Sequence, residues 1–201
     1  MSREIEFYFD CSSPWTYLGF HAVQPLAAEL NATILWKPIL VGGVFNAVNQ
    51  SVYDNRANPN PLKHTYMLKD LGDWARLYGL TIRFPPTVFP VNSVKCMRAS
   101  LHALDRGRLV PFATAAFEAY WAQDRDLSQD EVLADIASQA GLEWGELRAA
   151  LAGETLKARL RANTEELIAR GGFGSPTMFV GGDLYFGNDR LPLVRAALLA
   201  R

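Results

Sequence analysis

The sequence predicts an α/β fold whose small sheet is interrupted by a long, all-helical insertion. Three observations carry that expectation. A strand, a helix and a second strand follow one another within the first forty residues. The middle of the chain then loses β-branched runs and becomes rich in Ala and Leu. Strand character returns only at Thr177, with a Gly-Gly turn behind it.

Taken in order, Glu4 to Phe9 alternates and is rich in Ile, Phe and Tyr, which predicts the first strand. Asp10-Cys11-Ser12-Ser13-Pro14 breaks it. Leu18, Ala22, Leu26 and Leu30 recur at helical spacing and predict a helix over 15–30. Pro14 takes the first helical position, where a missing N–H costs nothing. Pro25 inside the helix predicts a kink or an early break. Thr33 to Leu40 reads as the second strand, and a strand–helix–strand unit makes the two strands parallel. Residues 42–61, rich in Asn, Gly and Pro, read as a loop. Helical patterns follow over 62–78, 93–106, 110–123, 128–140, 144–151 and 155–170. Ser128 with Glu131 three residues on predicts a capping box. A strand over Thr177–Val180 turns at Gly181-Gly182 into another over 184–186, and an amphipathic helix over 190–201 follows. The division expected is one unit of residues 1–60 plus 171–201, with a helical unit of residues 61–170 inserted in it.

Composition narrows the function. The 201 residues are 49% hydrophobic and 20% charged, which excludes a disordered chain. Twenty Lys+Arg against 21 Asp+Glu, with no basic stripe, exclude a nucleic-acid partner. No apolar run is long enough to span a membrane. The first residues lack the apolar stretch and cleavage site of a secretory signal. Cys11 and Cys96 form no disulfide framework, which fits a reducing compartment. His21, His64 and His102 are widely separated, so no metal site is expected. The expectation is a cytoplasmic protein acting on a small molecule.

The informative stretch runs from Asp10 to Gly19. Ser13 falls where the strand ends and the helix begins. The unpaired N–H groups and partial positive charge of a helix start favour an anion such as a thiolate, to which Ser13 could donate its proton. The plainer role for Ser13 is an N-cap, and the two roles draw on the same hydroxyl. Two later stretches stand out: Gly172-Phe173-Gly174-Ser175-Pro176, a turn directly before a strand, and Phe186-Gly187-Asn188-Asp189-Arg190, directly before the last helix. Asn188 and Asp189 suit helix capping, and an acidic group there also suits an ammonium.

These residues carry a resemblance. Ser13-Pro14-Trp15-Thr16-Tyr17-Leu18-Gly19 resembles the active-site loop of the DsbA-like branch of the thioredoxin superfamily, with Ser13 and Thr16 at its two cysteine positions. Thiol–disulfide exchange needs one thiolate to attack and another to leave, so a disulfide oxidoreductase is disfavoured. Cys11 lies outside that frame, and both cysteines read as buried structural thiols. Gly172 to Val180 resembles the loop that carries a cis-proline in such folds, here Pro176. Together with Trp36-Lys37-Pro38-Ile39-Leu40-Val41-Gly42-Gly43-Val44-Phe45 and Pro90-Val91-Asn92-Ser93, nearly the whole chain resembles the kappa-class glutathione transferases. It resembles the 2-hydroxychromene-2-carboxylate isomerases more closely.

The resemblance implies a thioredoxin-like fold with a large helical insertion, glutathione as cofactor, and Ser13 as the catalytic residue beside its sulfur. It implies that Ser175, beside Pro176, bonds the cysteinyl backbone, while Phe186, Gly187, Asn188 and Asp189 hold the γ-glutamyl end. Asn49 and Lys63 are implied to reach the tripeptide. Trp15, Asn46, Arg56 and Asn92 are implied substrate contacts, with capping of the next helix as the plainer role for Asn92. Asn46 departs from the Lys common in the isomerases, and either Arg56 or Lys63 could supply the missing charge to a small aromatic carboxylate. In the implied reaction glutathione adds to the unsaturated acid, permits rotation about a former double bond, and leaves. That interconverts 2-hydroxychromene-2-carboxylate and trans-o-hydroxybenzylidenepyruvate, a step of aromatic hydrocarbon catabolism. A kappa-like transferase that keeps the thioether, or a non-catalytic glutathione-binding protein, are the alternatives. The family also implies a homodimer.

Overall fold

The structure, a computed structural model, describes residues 3–200. Its sheet is mixed and ordered β2-β1-β3-β4, with β1 (Glu4–Phe9), β2 (Thr33–Pro38), β3 (Thr177–Val180) and β4 (Asp183–Phe186). β1 runs parallel to β2, with Phe7 opposite Trp36, and antiparallel to β3, with Phe7 opposite Met178. β3 and β4 form a two-residue hairpin through Gly181 and Gly182, both at positive φ, as such a turn demands. β1 is central, and Ile5, Phe7, Tyr8 and Phe9 are all buried, because helices cover both sides of the strand.

α1 (Pro14–Glu29) begins with Pro14 in the first turn, as expected. The break expected at Pro25 does not occur. Pro25 faces solvent while Val23 and Ala27 are buried, so the lost N–H falls on the outer side of the helix. The expected loop after β2 also proves wrong: α2 (Val41–Val48) and α3 (Ser51–Ala57) fill it. Glycine disfavours helix, but here packing overrides propensity. A Cβ on Gly43 would lie 3.4 Å from Thr164 Cγ2, so the small residue lets α2 lie close against α9 (Glu154–Ala169).

α4 (Pro61–Leu77), α5 (Val94–Asp105), α6 (Leu109–Phe117), α7 (Asp130–Gln139) and α8 (Trp144–Ala152) lie close to their expected places, and a π-helical turn, Glu118–Ala122, extends α6. α10 (Leu191–Leu199) follows a 3-10 turn at Asn188–Arg190; the expected end at Arg201 lies outside the described residues. The capping box at Ser128 does not form. Asp126 instead accepts the Ser128 N–H at 2.9 Å and the Gln129 side chain at 2.8 Å, and Gln129 becomes the cap residue of α7. A carboxylate two residues upstream captures the donor before the helix begins.

One apolar core runs from the sheet into the insertion. It includes Phe7 and Phe9 of β1, Phe117 of α6, Leu133 of α7 and Leu147 of α8. Phe20 of α1 is the joint, with ring centres 4.9 Å from Trp36 and 5.2 Å from Phe117. Trp121 donates its ring N–H to the Cys11 carbonyl at 2.9 Å, pinning the insertion to the strand end that leads to Ser13. Among the described residues, no helix is long and apolar enough to cross a membrane.

α1 also touches the loop before β3. A Cβ on Gly19 would come within 3.0 Å of Pro176 Cγ, so only glycine lets the two approach this closely. Gly19→Ala is expected to lower unfolding stability by about 1–3 kcal/mol through overpacking. Gly72→Ala, in α4 with open space around it, is expected to raise stability by about 0.5–1 kcal/mol, as Ala does over Gly in a helix. Urea unfolding of the two variants beside the parent checks both signs.

Candidate active site

The end of β1, the start of α1 and the Ser175-Pro176 loop meet at one point. Ser13 is the N-cap of α1, its Oγ accepting the Thr16 N–H at 3.2 Å while its hydroxyl donates to the Ser175 carbonyl at 3.1 Å. Capping and donation therefore use different parts of the hydroxyl: the cap takes a lone pair, and the proton is held only by Ser175. The Ser175–Pro176 bond is cis. The Ser175 hydroxyl lies 2.7 Å from Thr16 Oγ1 and accepts the Asp10 N–H at 3.1 Å. Ser13 and Thr16, four-residue frame included, thus both engage Ser175.

Beneath this loop lies Asp10, fully buried. Its carboxylate accepts the Ser12 N–H at 2.9 Å, the Val41 N–H at 2.9 Å and the Ser93 hydroxyl at 3.0 Å. Burial raises its pKa above the ordinary carboxylate value, and the donors from Ser12, Val41 and Ser93 oppose that rise without cancelling it. Burial likewise pushes the Cys11 thiol well above its usual range, with Cys96 beside it adding to the rise. Both thiols are free and buried, so neither sulfur is presented to solvent at the Ser13 loop.

Two cavities open on either side of Ser175, sharing Trp15, Ser175 and Phe186 as a common wall. The smaller, about 340 Å³, is also lined by Asp70, Trp74, Pro176, Gly187, Asn188, Asp189 and Arg190. Asn188 is buried, and its Nδ2 makes no hydrogen bond of full geometry, although it lies close enough to the Tyr78 hydroxyl to act on it. A buried donor left unmade is costly, and this one borders a cavity that could supply an acceptor. Asp189 is held by Arg190 at 2.5 Å.

The larger cavity, about 650 Å³, runs from Ser12, Ser13 and Trp15 past Val41, Phe45 and Val52 to Phe84 and Phe89. Arg56 lines it, its guanidinium 5.6 Å from the Phe45 ring centre and 5.5 Å from that of Phe89. Among the described lining residues it is the one permanently charged side chain. Asn49 lines the same cavity and donates to the Phe173 carbonyl at 3.1 Å.

Other sequence-expected residues lie apart. Asn46 is exposed and accepts the Tyr53 hydroxyl at 2.7 Å. Lys63 is exposed on the first turn of α4 and lines neither cavity, whereas its neighbour His64 lines the larger one. Asn92 is exposed and accepts the Val94 N–H at 3.2 Å, which is a capping role. Sequence reasoning missed Asp10, Asp70, Arg190 and His64. Asp10 stood inside the quoted stretch, but its donors at Val41 and Ser93 are distant in sequence. The signal for Asp70 is no more than a helical position.

A helix opening on Ser13 against a cis-proline loop, with hydroxyls in place of thiols, defines a thioredoxin-type binding site without redox cysteines. Comparison with known proteins bears on the family and the fold. The DSBA-like thioredoxin domain matches residues 4–199. A 2-hydroxychromene-2-carboxylate isomerase from Sphingobium xenophagum is 32% identical, covering 99% of this chain and 100% of its own length. A kappa 2 glutathione transferase from Caenorhabditis elegans is 26% identical over 96% of this chain and 90% of its own. A solved structure of a 2-hydroxychromene-2-carboxylate isomerase superposes with TM-score 0.83 at 26% identity, covering 98% of this chain and 95% of that one. The chain belongs to the 2-hydroxychromene-2-carboxylate isomerase family, within the DsbA-like thioredoxin superfamily and related to the kappa-class glutathione transferases.

Asp10→Ala leaves three donors without their acceptor, at about 1–3 kcal/mol each, so a loss of about 3 kcal/mol or more is expected in denaturant unfolding. In the parent, the raised pKa means that the unfolded chain releases this proton first. Stability attributable to Asp10 therefore falls as pH rises from the ordinary carboxylate value through the raised one. That downward slope should be absent from Asp10→Ala, measured over the same pH series.

Proposed function

We propose that this protein is a glutathione-dependent isomerase interconverting 2-hydroxychromene-2-carboxylate and trans-o-hydroxybenzylidenepyruvate, acting in the cytoplasm in aromatic hydrocarbon catabolism. The observation that carries the reading is the junction at Ser13 and Ser175. There a polar cavity suited to a peptide-like cofactor meets an apolar one with a single guanidinium. The relatives named as isomerases and as glutathione transferases support the two halves separately. Buried free thiols at Cys11 and Cys96 support a reducing compartment.

The residues present fit glutathione. Ser175 lies in the wall shared by both cavities, placed for the cysteinyl unit. The buried Asn188 Nδ2 offers a donor to the γ-glutamyl carboxylate. Asp189, with Phe186 and Gly187 in the same wall, offers a counter-charge to the ammonium. When bound, glutathione supplies the thiol nucleophile that makes rotation about the substrate double bond possible.

Ser13 would turn its proton from the Ser175 carbonyl toward that sulfur while its oxygen keeps the Thr16 N–H. The helix start adds partial positive charge, and both effects favour the ionised thiol. Arg56, steadied between Phe45 and Phe89, would take the substrate carboxylate through its planar pair of donors. Trp15, Phe84 and Phe89 would cover the aromatic ring and exclude water. Asn49 would reach the tripeptide from the larger cavity, while Lys63 stands outside both cavities. A homodimer, as in the family resemblance, belongs to the same reading and is checked by light scattering after size exclusion.

Glutathione titration by calorimetry, with thiol absorbance followed across pH, tests the first half. Ser13→Ala is expected to bind but to raise the bound thiol pKa by about one unit, the value of one hydrogen bond. Asn188→Leu is expected to weaken binding about tenfold. Absence of binding by the parent at millimolar glutathione overturns the reading.

Turnover tests the second half. Recovery of free glutathione after chromene conversion identifies the isomerase, a stable thioether the transferase, and binding without turnover a non-catalytic protein. Arg56→Met is expected to raise KM for the carboxylate substrate about tenfold or more, with glutathione affinity unchanged.

A further inference from the structure

A third cavity, about 380 Å³, lies between α2, α5 and α9, behind α2 as seen from the larger active-site cavity. Helical geometry explains the placement. Val41 and Phe45, four apart, turn one side of α2 to the active-site cavity, while Gly43 and Ala47, also four apart, turn another side to this one. The apolar lining comes from Leu40, Val94, Leu160 and Ile168.

Its charge is unusual for so apolar a space. Arg98, Lys157 and Arg161 border it, against one carboxylate, Glu165. Arg161 and Lys157 are largely solvated and already paired, with Glu165 at 3.5 Å and Glu154 at 3.2 Å. Arg98 differs. It is half-buried, and its Nε is wholly buried without any hydrogen-bond partner. A guanidinium N–H withdrawn from water and left unmade is costly, and Arg98, alone of the three cations without an ion pair among the described residues, is the one whose guanidinium a carboxylate in the cavity would meet. The volume falls in the range of small-molecule sites, and the apolar walls select what accompanies that acceptor.

We infer that this cavity is a second binding site, for a small apolar or aromatic monocarboxylate whose carboxylate meets Arg98 and whose hydrocarbon part lies against Leu160 and Ile168. The inference is independent of the reaction proposed above. Its occupant is separated from the active-site cavity by the thickness of α2 alone.

2-Naphthoate is the probe. It is titrated by calorimetry into Arg56→Met, which removes the active-site guanidinium, and methyl NMR shifts of Leu160 and Ile168 locate it. Saturable binding is expected in Arg56→Met, with shifts at those methyls. Affinity is expected to fall about tenfold when Arg98→Met is added, and at least as far when Ala47→Phe fills the space. The neutral analogue 2-naphthylmethanol is expected to bind about tenfold more weakly than naphthoate. Thermal melts confirm that each variant is folded. The inference is overturned if naphthoate fails to bind Arg56→Met, or if neither Arg98→Met nor Ala47→Phe weakens it. Methyl shifts confined to Val41 and Val52 overturn it as well, as does binding that appears only on dilution, which would mean that a second copy of the chain covers the cavity.

Discussion

Asp10 ties together the elements that meet at the centre of the candidate active site. Its backbone N–H holds the Ser175 hydroxyl, and its carboxylate holds the Ser13 loop through Ser12, α2 through Val41 and α5 through Ser93. A carboxylate buried this deeply is tolerated only because all three donors converge on it. The consequence is geometric. Neither the start of α1, nor the cis-proline loop, nor the wall of the larger cavity can shift without breaking a bond to the same residue.

Around that anchor the site keeps the layout of a thioredoxin-type centre while its chemistry changes. Thiols at the positions of Ser13 and Thr16 would exchange with disulfides; hydroxyls cannot, since they neither ionise at neutral pH nor form a reducible bond. What remains is a hydrogen-bond donor at a helix start and a backbone edge at the cis bond. That arrangement underlies the proposed use of a thiol brought by a ligand. The two cysteines of the chain take no part: both are buried away from the Ser13 hydroxyl, and burial pushes the Cys11 thiol well above its usual range.

The helical insertion completes this site as well as covering it. Its residues share one core with the sheet, so Trp121 can reach the Cys11 carbonyl and Phe84 and Phe89 can close the far wall of the larger cavity. α2 has cavities on two sides, which places a second apolar space directly behind the first. The half-buried Gly42-Gly43 pair lies within a helix because α9 receives Gly43 so closely.

The sequence by itself determined what depends on near neighbours. The β1 strand, the Pro14 start of α1, the parallel β1–β2 pair and the Gly181-Gly182 hairpin all follow from local residue preference and turn chemistry, and all are found. The motif around Ser13 marked the site, since a strand end, a Ser-Pro and a helix lie within a few residues of one another. Only the tertiary structure decided what depends on distant partners. It made a helix of residues 41–48 through contact with α9, and gave the donor of the expected Ser128 cap to Asp126. It set Arg56 into the larger cavity while Asn46 bonds Tyr53 and Lys63 stays outside. It also brought Val41 and Ser93 to Asp10. Periodicity records which side of an element is apolar, but a hydrogen bond between residues eighty positions apart leaves no periodic trace, so those choices belong to the fold.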